Sequence, residues 1–93
     1  RSPKSAKRSL EKVMQSLNQL GEAVAQRRHA LGIKQGHVAE KAGITQESLS
    51  RFERGRAAEF GARKLLAVLA VLGMEIRFAE TASSPYTRTE QAD

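Results

Sequence analysis

A segment near the middle of the chain carries side chains that can read the edges of base pairs. Glutamine can pair with adenine and arginine with guanine, and glutamate can accept a hydrogen bond from cytosine. Polar residues of these kinds occur close together here: Gln46, Glu47, Ser50 and Arg51. Gln35 and the N-terminus of a helix could donate hydrogen bonds to phosphates. The residue types therefore favour non-covalent contact with double-stranded DNA.

Two short helices joined by a tight turn are predicted to position these side chains. The first spans Gln35 to Ala42 and is closed by Gly43. The second opens at Thr45, a good N-cap, although Ser48 stands where a complete capping box has Glu or Gln. Gly55 ends this helix after Arg54. We expect Ala39 and Gly43 to keep the helices close and Ile44 and Leu49 to fill the corner between them.

Apolar residues at helical spacing predict one further helix on each side of this pair. The first covers about Leu17–Leu31, or begins earlier near Ser9, and stops at Gly32. The last covers 62–72 and stops at Gly73, with an apolar stripe formed by Leu65, Leu66, Leu69 and Leu72 and widened by Ala67 and Val68.

The period of the sequence changes after the last helix. Met74, Ile76 and Phe78 alternate with charged residues, which predicts a half-buried strand. Since no second strand is evident, the strand is expected to pair with its copy in another subunit. The residues expected at this homodimer contact are Leu72, Met74, Ile76 and Phe78. The alternative is a terminal extension that packs on its own domain.

The length and charge of the chain limit the classes of protein to which it can belong. The chain has 93 residues, no Cys and a net charge of +6. This size predicts one domain, and an enzyme with a substrate cleft is disfavoured. Composition divides the chain into a basic flexible arm (1–12), a domain (13–73), a dimerisation strand (74–78) and a disordered tail (79–93). The arm and the segment 27–56 each carry a net charge of +4, which is typical of a surface that binds a polyanion.

The stretch from Leu31 to Gly55, LGIKQGHVAEKAGITQESLSRFERG, resembles the helix-turn-helix of the Cro and phage-repressor-like (XRE) family. Residues of the types that the family expects are Gln35, Ala39, Gly43, Thr45, Leu49, Ser50, Glu53 and Gly55. Gly36 departs from the helix-forming residue usual at that position, so a less firm second helix is expected. The resemblance implies an all-α, compact, phage-repressor-like fold of four to five helices.

The resemblance also implies a set of roles. Gln46, Glu47 and Arg51 would face bases, with Ser50 beside them, and Glu47 could instead only restrain Arg51 or point into solvent. Contacts to phosphates are expected from Gln35, Ser48, Arg54 and Lys34. Arg28 is expected to pair with Glu53 and to tie the first helix to the recognition helix. The basic arm could follow the DNA backbone or enter a minor groove.

The ending of the chain is similar to that of HipB-like antitoxins, in which a strand shared between subunits follows the helical domain. This resemblance implies an autoregulating bacterial repressor of a toxin-antitoxin operon, bound to a pseudo-palindromic operator and to a HipA-like Ser/Thr kinase toxin. It also implies a cytoplasmic, nucleoid-associated protein. The alternative is a stand-alone XRE-family repressor without a toxin partner.

Other classes of function lack support in the sequence. His29 and His37 are the only histidines and no Cys is present, so neither a metal nor another cofactor is expected. The serines and threonines of the tail have no positioned base, which disfavours nucleophilic catalysis. The longest apolar run is too short to cross a membrane. RNA binding by aromatic stacking is disfavoured because Phe52, Phe60 and Phe78 are expected to be buried.

Overall fold

The computed structural model describes residues 13–82 and Tyr86. This part of the chain contains four helices, which are α1 (Leu17–Leu31), α2 (Gln35–Ala42), α3 (Gln46–Glu53) and α4 (Ala62–Val71). It contains no strand, so the predicted all-α class is confirmed. The basic arm and most of the tail lie outside the described residues.

Side-chain oxygens cap the N-termini of α1 and α3. Ser16 caps α1, because its Oγ accepts a hydrogen bond from the Gln19 amide at 3.1 Å. The helix therefore starts at Leu17, and the earlier start near Ser9 was wrong, since residues 13–16 are not helical. Thr45 caps α3 in the same way, with its Oγ1 3.1 Å from the Ser48 amide.

Gly43, at the turn between α2 and α3, ends α2 as predicted but does not have the second role expected of it, which was to keep the two helices close. Gly43 has a φ of 75° and lies in the left-handed region, which residues with a Cβ rarely adopt. A Cβ at this position would meet no atom within 4 Å. Gly43 therefore ends α2 and turns the chain, whereas close packing of the two helices depends on the buried side chain of Ala39.

The core lies where α3 packs against α1 and α2, and α2 packs against α4. Every helix contributes to it through the buried side chains Val24, Val38, Ala39, Leu49, Phe52, Val68 and Leu69, joined by Leu72 just after α4. The backbones of α1 and α3 approach each other closely at Gly21. A Cβ there would overlap the backbone carbonyl of Phe52, so this crossing requires glycine.

The apolar stripe of α4 differs from the predicted one at Leu66. Leu66 lies outside the core and is 53% exposed, whereas Val68, which was predicted to widen the stripe, is fully buried. Leu72 is also buried, at 1% exposure. Its side chain belongs to the core of its own domain, so it is not available at the surface for the dimer contact expected of it. Arg27 links α1 to the end of α4, because its Nε donates a hydrogen bond to the Leu72 carbonyl at 3.0 Å.

The segment after α4 has neither helix nor strand in this single chain. Met74 packs partly against the core, whereas Ile76 is 43% exposed and Phe78 is 97% exposed. The expectation that Phe78 is buried was therefore wrong for the isolated chain, because the core ends before the chain reaches it. Pairing with a second subunit stays a prediction.

Within residues 13–82, no helix has the length and apolar character needed to span a membrane. The same residues, with Tyr86, hold no group of three or more His, Asp or Glu side chains placed to bind a metal ion.

Candidate nucleic-acid interface

The outer face of α3 is polar because its apolar residues point the other way. Leu49 and Phe52 are buried in the core, and this fixes how the helix is rotated. Three of the residues predicted to face bases are consequently exposed on the opposite side, and the fourth, Ser50, is half-buried. The exposed three are Gln46, Glu47 and Arg51.

The N-terminal ends of α2 and α3 meet beside this face. Gln46, the first residue of α3, contacts Gln35, the first residue of α2, with Gln46 Nε2 3.4 Å from Gln35 Oε1. Two helix N-termini, each with free backbone N–H groups and a partial positive charge, therefore lie close together. Such a pair suits anionic oxygens.

The residues expected to contact phosphates lie at these N-termini and at the C-terminal end of α3. Lys34 is exposed and caps α2 without a side-chain hydrogen bond to the helix. Ser48 is half-buried in the first turn of α3, and Arg54 is exposed at the other end of that helix. Arg56 follows in the next loop and is exposed as well. The positive charge thus lies at both ends of α3.

A buried ion pair fixes α3 to α1. Arg28 donates from Nε and Nη2 to the two carboxylate oxygens of Glu53, each at 2.8 Å. The two side chains are only 10% and 4% exposed. Arg28 Nη1 also donates to the Ile33 carbonyl at 3.0 Å, which ties in the loop before α2. The hydrogen bonds that Arg28 donates to the Glu53 carboxylate raise the pKa of Arg28 above its usual value, against the opposing effect of burial.

Gln35 connects this buried pair to the surface, a contact that the sequence did not predict. Its Nε2 donates to Glu53 Oε1 at 3.0 Å, and its Oε1 faces Gln46. Arg28, Glu53, Gln35 and Gln46 consequently form one continuous chain of polar contacts from the core to the outer face of α3. We call these four residues the polar relay. Local sequence patterns could not have revealed it, because its members belong to three helices.

Glu47 lies near Arg51 on the outer face, one helical turn away. Arg51 Nη2 is 3.8 Å from Glu47 Oε2, and both side chains are largely exposed. An exposed pair of this length is weak, so Arg51 can leave it to reach another acceptor. The geometry accommodates the prediction that Glu47 restrains Arg51, and it keeps the Glu47 carboxylate available to accept hydrogen bonds.

Comparison with known proteins supports this reading of the geometry. Residues 19–77 match the family model described as a helix-turn-helix domain. The fold is similar to that of HipB in the solved structure described as "Structure of HipA-HipB-O2-O3 complex". The TM-score is 0.68 at 26% sequence identity, and the match covers 75% of this chain and 97% of that chain. No curated protein sequence compared with the chain matches it significantly. The predicted resemblance is confirmed by these matches.

Proposed function

The chain belongs to the helix-turn-helix domain family, and from this we propose that it is a sequence-specific DNA-binding repressor. The observation that carries the proposal is the placement of the exposed face of α3 beside the two helix N-termini. The α3 side chains can enter a major groove while the N-termini approach the flanking phosphates. Occupying promoter DNA would then block transcription.

We assign the contacts to bases and to phosphates from the positions of the side chains on the interface. Gln46 and Arg51 read bases, and Glu47 and Ser50 lie close enough on α3 to modulate that reading. A second group fixes the orientation of the domain through phosphates. This group consists of Lys34, Gln35, Ser48 and Arg54.

The protein acts as a homodimer on this proposal. Ile76 and Phe78 are exposed apolar side chains after α4, and Met74 lies at the edge of the core beside them. Burying them against a second subunit would remove apolar surface from water. A two-fold dimer presents two copies of α3, which suits a pseudo-palindromic operator. Leu72 supports this contact only from within the core.

The structural similarity to HipB extends the proposal to a protein partner. We propose that the chain is the antitoxin of a toxin-antitoxin operon and binds a HipA-like Ser/Thr kinase toxin. The support is the match over nearly all of the HipB chain. A stand-alone repressor would share the fold and the DNA-binding face but would have no such partner.

Two experiments test the two levels of the proposal separately. Gel-shift titration with the promoter region of the chain's own gene should give a specific complex that excess random duplex does not displace. Co-expression with the product of the adjacent gene should then give a complex that co-purifies. Specific DNA binding without a kinase-like neighbour or a co-purifying product would indicate the stand-alone repressor. Failure to bind that promoter specifically would contradict autoregulation.

A further inference from the structure

The segment after α4 carries two exposed charges of opposite sign on the same side of the chain. Arg77 donates from Nε and Nη2 to Glu75 Oε2, at 3.0 and 2.8 Å. Their side chains are 78% and 69% exposed, respectively. In a strand, residues two apart point to one face. The contact therefore suits one charged face of the predicted strand, and Met74, Ile76 and Phe78 fall on the other face.

The apolar face excludes half of the ways in which the segment could pair antiparallel with a copy of itself. In such a pair, residues directly opposite each other project to the same face. A shift of one residue would set a charged residue opposite an apolar one, so the two apolar faces would lie on different sides of the ribbon. Only the registers in which one residue lies opposite its own copy keep Ile76 and Phe78 of both strands on one face.

Charge distinguishes the registers that remain. Centring the pair on Glu75 sets that carboxylate against its own copy, and centring it on Arg77 sets two guanidinium groups against each other. Like charges directly opposite one another are destabilising. Centring the pair on Met74 or on Phe78 leaves both charged residues opposite uncharged ones. None of these four registers brings opposite charges together.

A pair centred on Ile76 sets Glu75 opposite Arg77 of the partner subunit, and the two-fold axis repeats this contact. Each of the four charges then has neighbours of opposite sign both along and across the strands, so the contact within one chain is kept. The same register sets Met74 opposite the partner subunit's Phe78, which pairs all the apolar residues. A parallel pair in register would set like charges opposite each other instead.

We propose that Glu75 and Arg77 set the register of an antiparallel ribbon, centred on Ile76, between two copies of this chain. This inference rests on the homodimer of the proposed function and adds to it the alignment of the subunits. A slip of two residues would move one strand by about 6.6–6.8 Å along the other, which is close to the rise of two base pairs. The register therefore also sets the separation of the two copies of α3.

Charge reversal tests the register through the strength of the dimer. In Glu75→Arg and in Arg77→Glu, both contacts across the ribbon become repulsive. The dissociation constant of the dimer, measured by sedimentation at several dilutions, should rise roughly tenfold. Both positions are exposed, so circular dichroism should show a folded domain. The apolar face still pairs, and either variant should keep the mass of a dimer well above its dissociation constant.

Two rescues separate contacts between subunits from the contact within one chain. In an equimolar mixture of Glu75→Arg and Arg77→Glu, the heterodimer has attractive contacts across the ribbon, although neither chain regains its internal ion pair. It should associate about as tightly as the wild type. The double variant Glu75→Arg, Arg77→Glu keeps the net charge of the chain and should also recover the wild-type affinity. A parallel ribbon would give no recovery there, because like charges would still lie opposite each other.

Cross-linking tests the alignment of the strands independently, because the chain has no cysteine of its own. Ile76→Cys places two thiols directly opposite each other, and oxidation with diamide should give a covalent dimer. The matched control is Ala79→Cys, at an exposed position three residues along. Its two thiols would be about 20 Å apart along the ribbon, which is too far for a disulfide.

The outcomes distinguish the register from the dimer itself. Reversed variants that associate as tightly as the wild type would overturn the inference alone. So would a mixture that shows no rescue, or cross-linking through Ala79→Cys in place of Ile76→Cys. A wild type that sediments as a monomer at every concentration would overturn the proposed homodimer as well.

Discussion

Arg51 is exposed and forms only a weak ion pair with Glu47. Its substitution is therefore the best test of whether a side chain of α3 contacts a base or a phosphate. Arg51→Ala should weaken binding to the preferred duplex by roughly 1–3 kcal/mol if Arg51 pairs with a guanine. Binding to random duplex should fall much less, because the lost contact is specific to sequence. Anisotropy titrations on both duplexes measure the two effects.

The matched control for Arg51 is Lys41→Ala. It removes one positive charge from an exposed residue in the last turn of α2, away from the N-terminal end of that helix. It should change both affinities only slightly and in parallel. An equal loss on preferred and random DNA in Arg51→Ala would instead assign Arg51 to the phosphate backbone.

Among substitutions that remove one charged side chain, those in the buried pair of Arg28 and Glu53 should lower the free energy of unfolding most. Arg28→Met keeps much of the side-chain volume but leaves Glu53 buried without its partner. The expected loss is about 3–5 kcal/mol of unfolding free energy, a large share of the roughly 5–15 kcal/mol typical of a domain. Urea unfolding followed by circular dichroism measures it.

Comparison with other substitutions tests the cause of that loss. Arg77→Met breaks an ion pair with Glu75 whose side chains are both mostly exposed, and it should leave the urea midpoint nearly unchanged. Adding Glu53→Met to Arg28→Met should recover part of the lost stability, because no unpaired charge then remains. A double variant as unstable as the single one would contradict the role given to the unpaired carboxylate.

The α1 and α3 helices cross at a point where only glycine fits. In Gly21→Ala the new methyl group would overlap the Phe52 carbonyl, so one helix must move. Since backbone atoms cannot yield as a side chain can, the strain should exceed the gain of up to about 1 kcal/mol that alanine gives in a helix. Thermal unfolding should therefore show a lower midpoint for Gly21→Ala.

Gly36→Ala is the natural comparison, because it is also a substitution within a helix but crowds only the end of a flexible side chain. Its midpoint should equal or exceed that of the wild type. If Gly21→Ala were as stable as Gly36→Ala, the close crossing of α1 and α3 would not limit the fold.

The helices themselves were predictable because their signals are local. Thr45 and the glycines that follow α1 and α2 mark helix boundaries whatever the rest of the chain does. The candidate interface could be predicted for the same reason, since the rotation of α3 follows from the spacing of Leu49 and Phe52. Among the contacts between helices, the resemblance implied the pair of Arg28 and Glu53, but the other contacts were not predictable. Gly21 and the Gln35 contact with Glu53 depend on which helices meet and at what distance, and no local pattern encodes that.

At the level of the whole molecule, dimerisation through the C-terminal segment should depend on its apolar side chains. Ile76→Asp places a carboxylate in the proposed contact, and because Ile76 is 43% exposed in the single chain, the domain should remain folded. Light scattering should then give the mass of a monomer. Circular dichroism should retain the helical signal of the wild type.

Arg77→Asp introduces the same carboxylate one position along, on the other face of the predicted strand. It should keep the dimer mass. An unchanged mass in Ile76→Asp would rule out this contact as the dimer interface, and loss of the dimer in both variants would point to the backbone or the net charge of the segment instead.

The net charge of +6 gives the whole molecule a general attraction to DNA, but it carries no choice of sequence. One of the positive charges is neutralised inside the domain, because Arg28 forms an ion pair with Glu53. The remaining exposed cations around α3 should make affinity fall as salt rises, with the preferred and random duplexes affected to a similar extent. Sequence choice should depend on Gln46 and Arg51.

Selection of binding sites from a fully randomised duplex pool by the wild-type chain tests the central claim most directly. Two copies of α3 related by a two-fold axis should enrich a pseudo-palindrome whose half-sites are centred about 10–10.5 base pairs apart or a multiple of that. The Gln46→Ala, Arg51→Ala double variant should lose the enriched half-site while still binding DNA at low salt. A pool that remains random after selection by the wild type, or an enriched site unchanged in the double variant, would contradict sequence reading by α3.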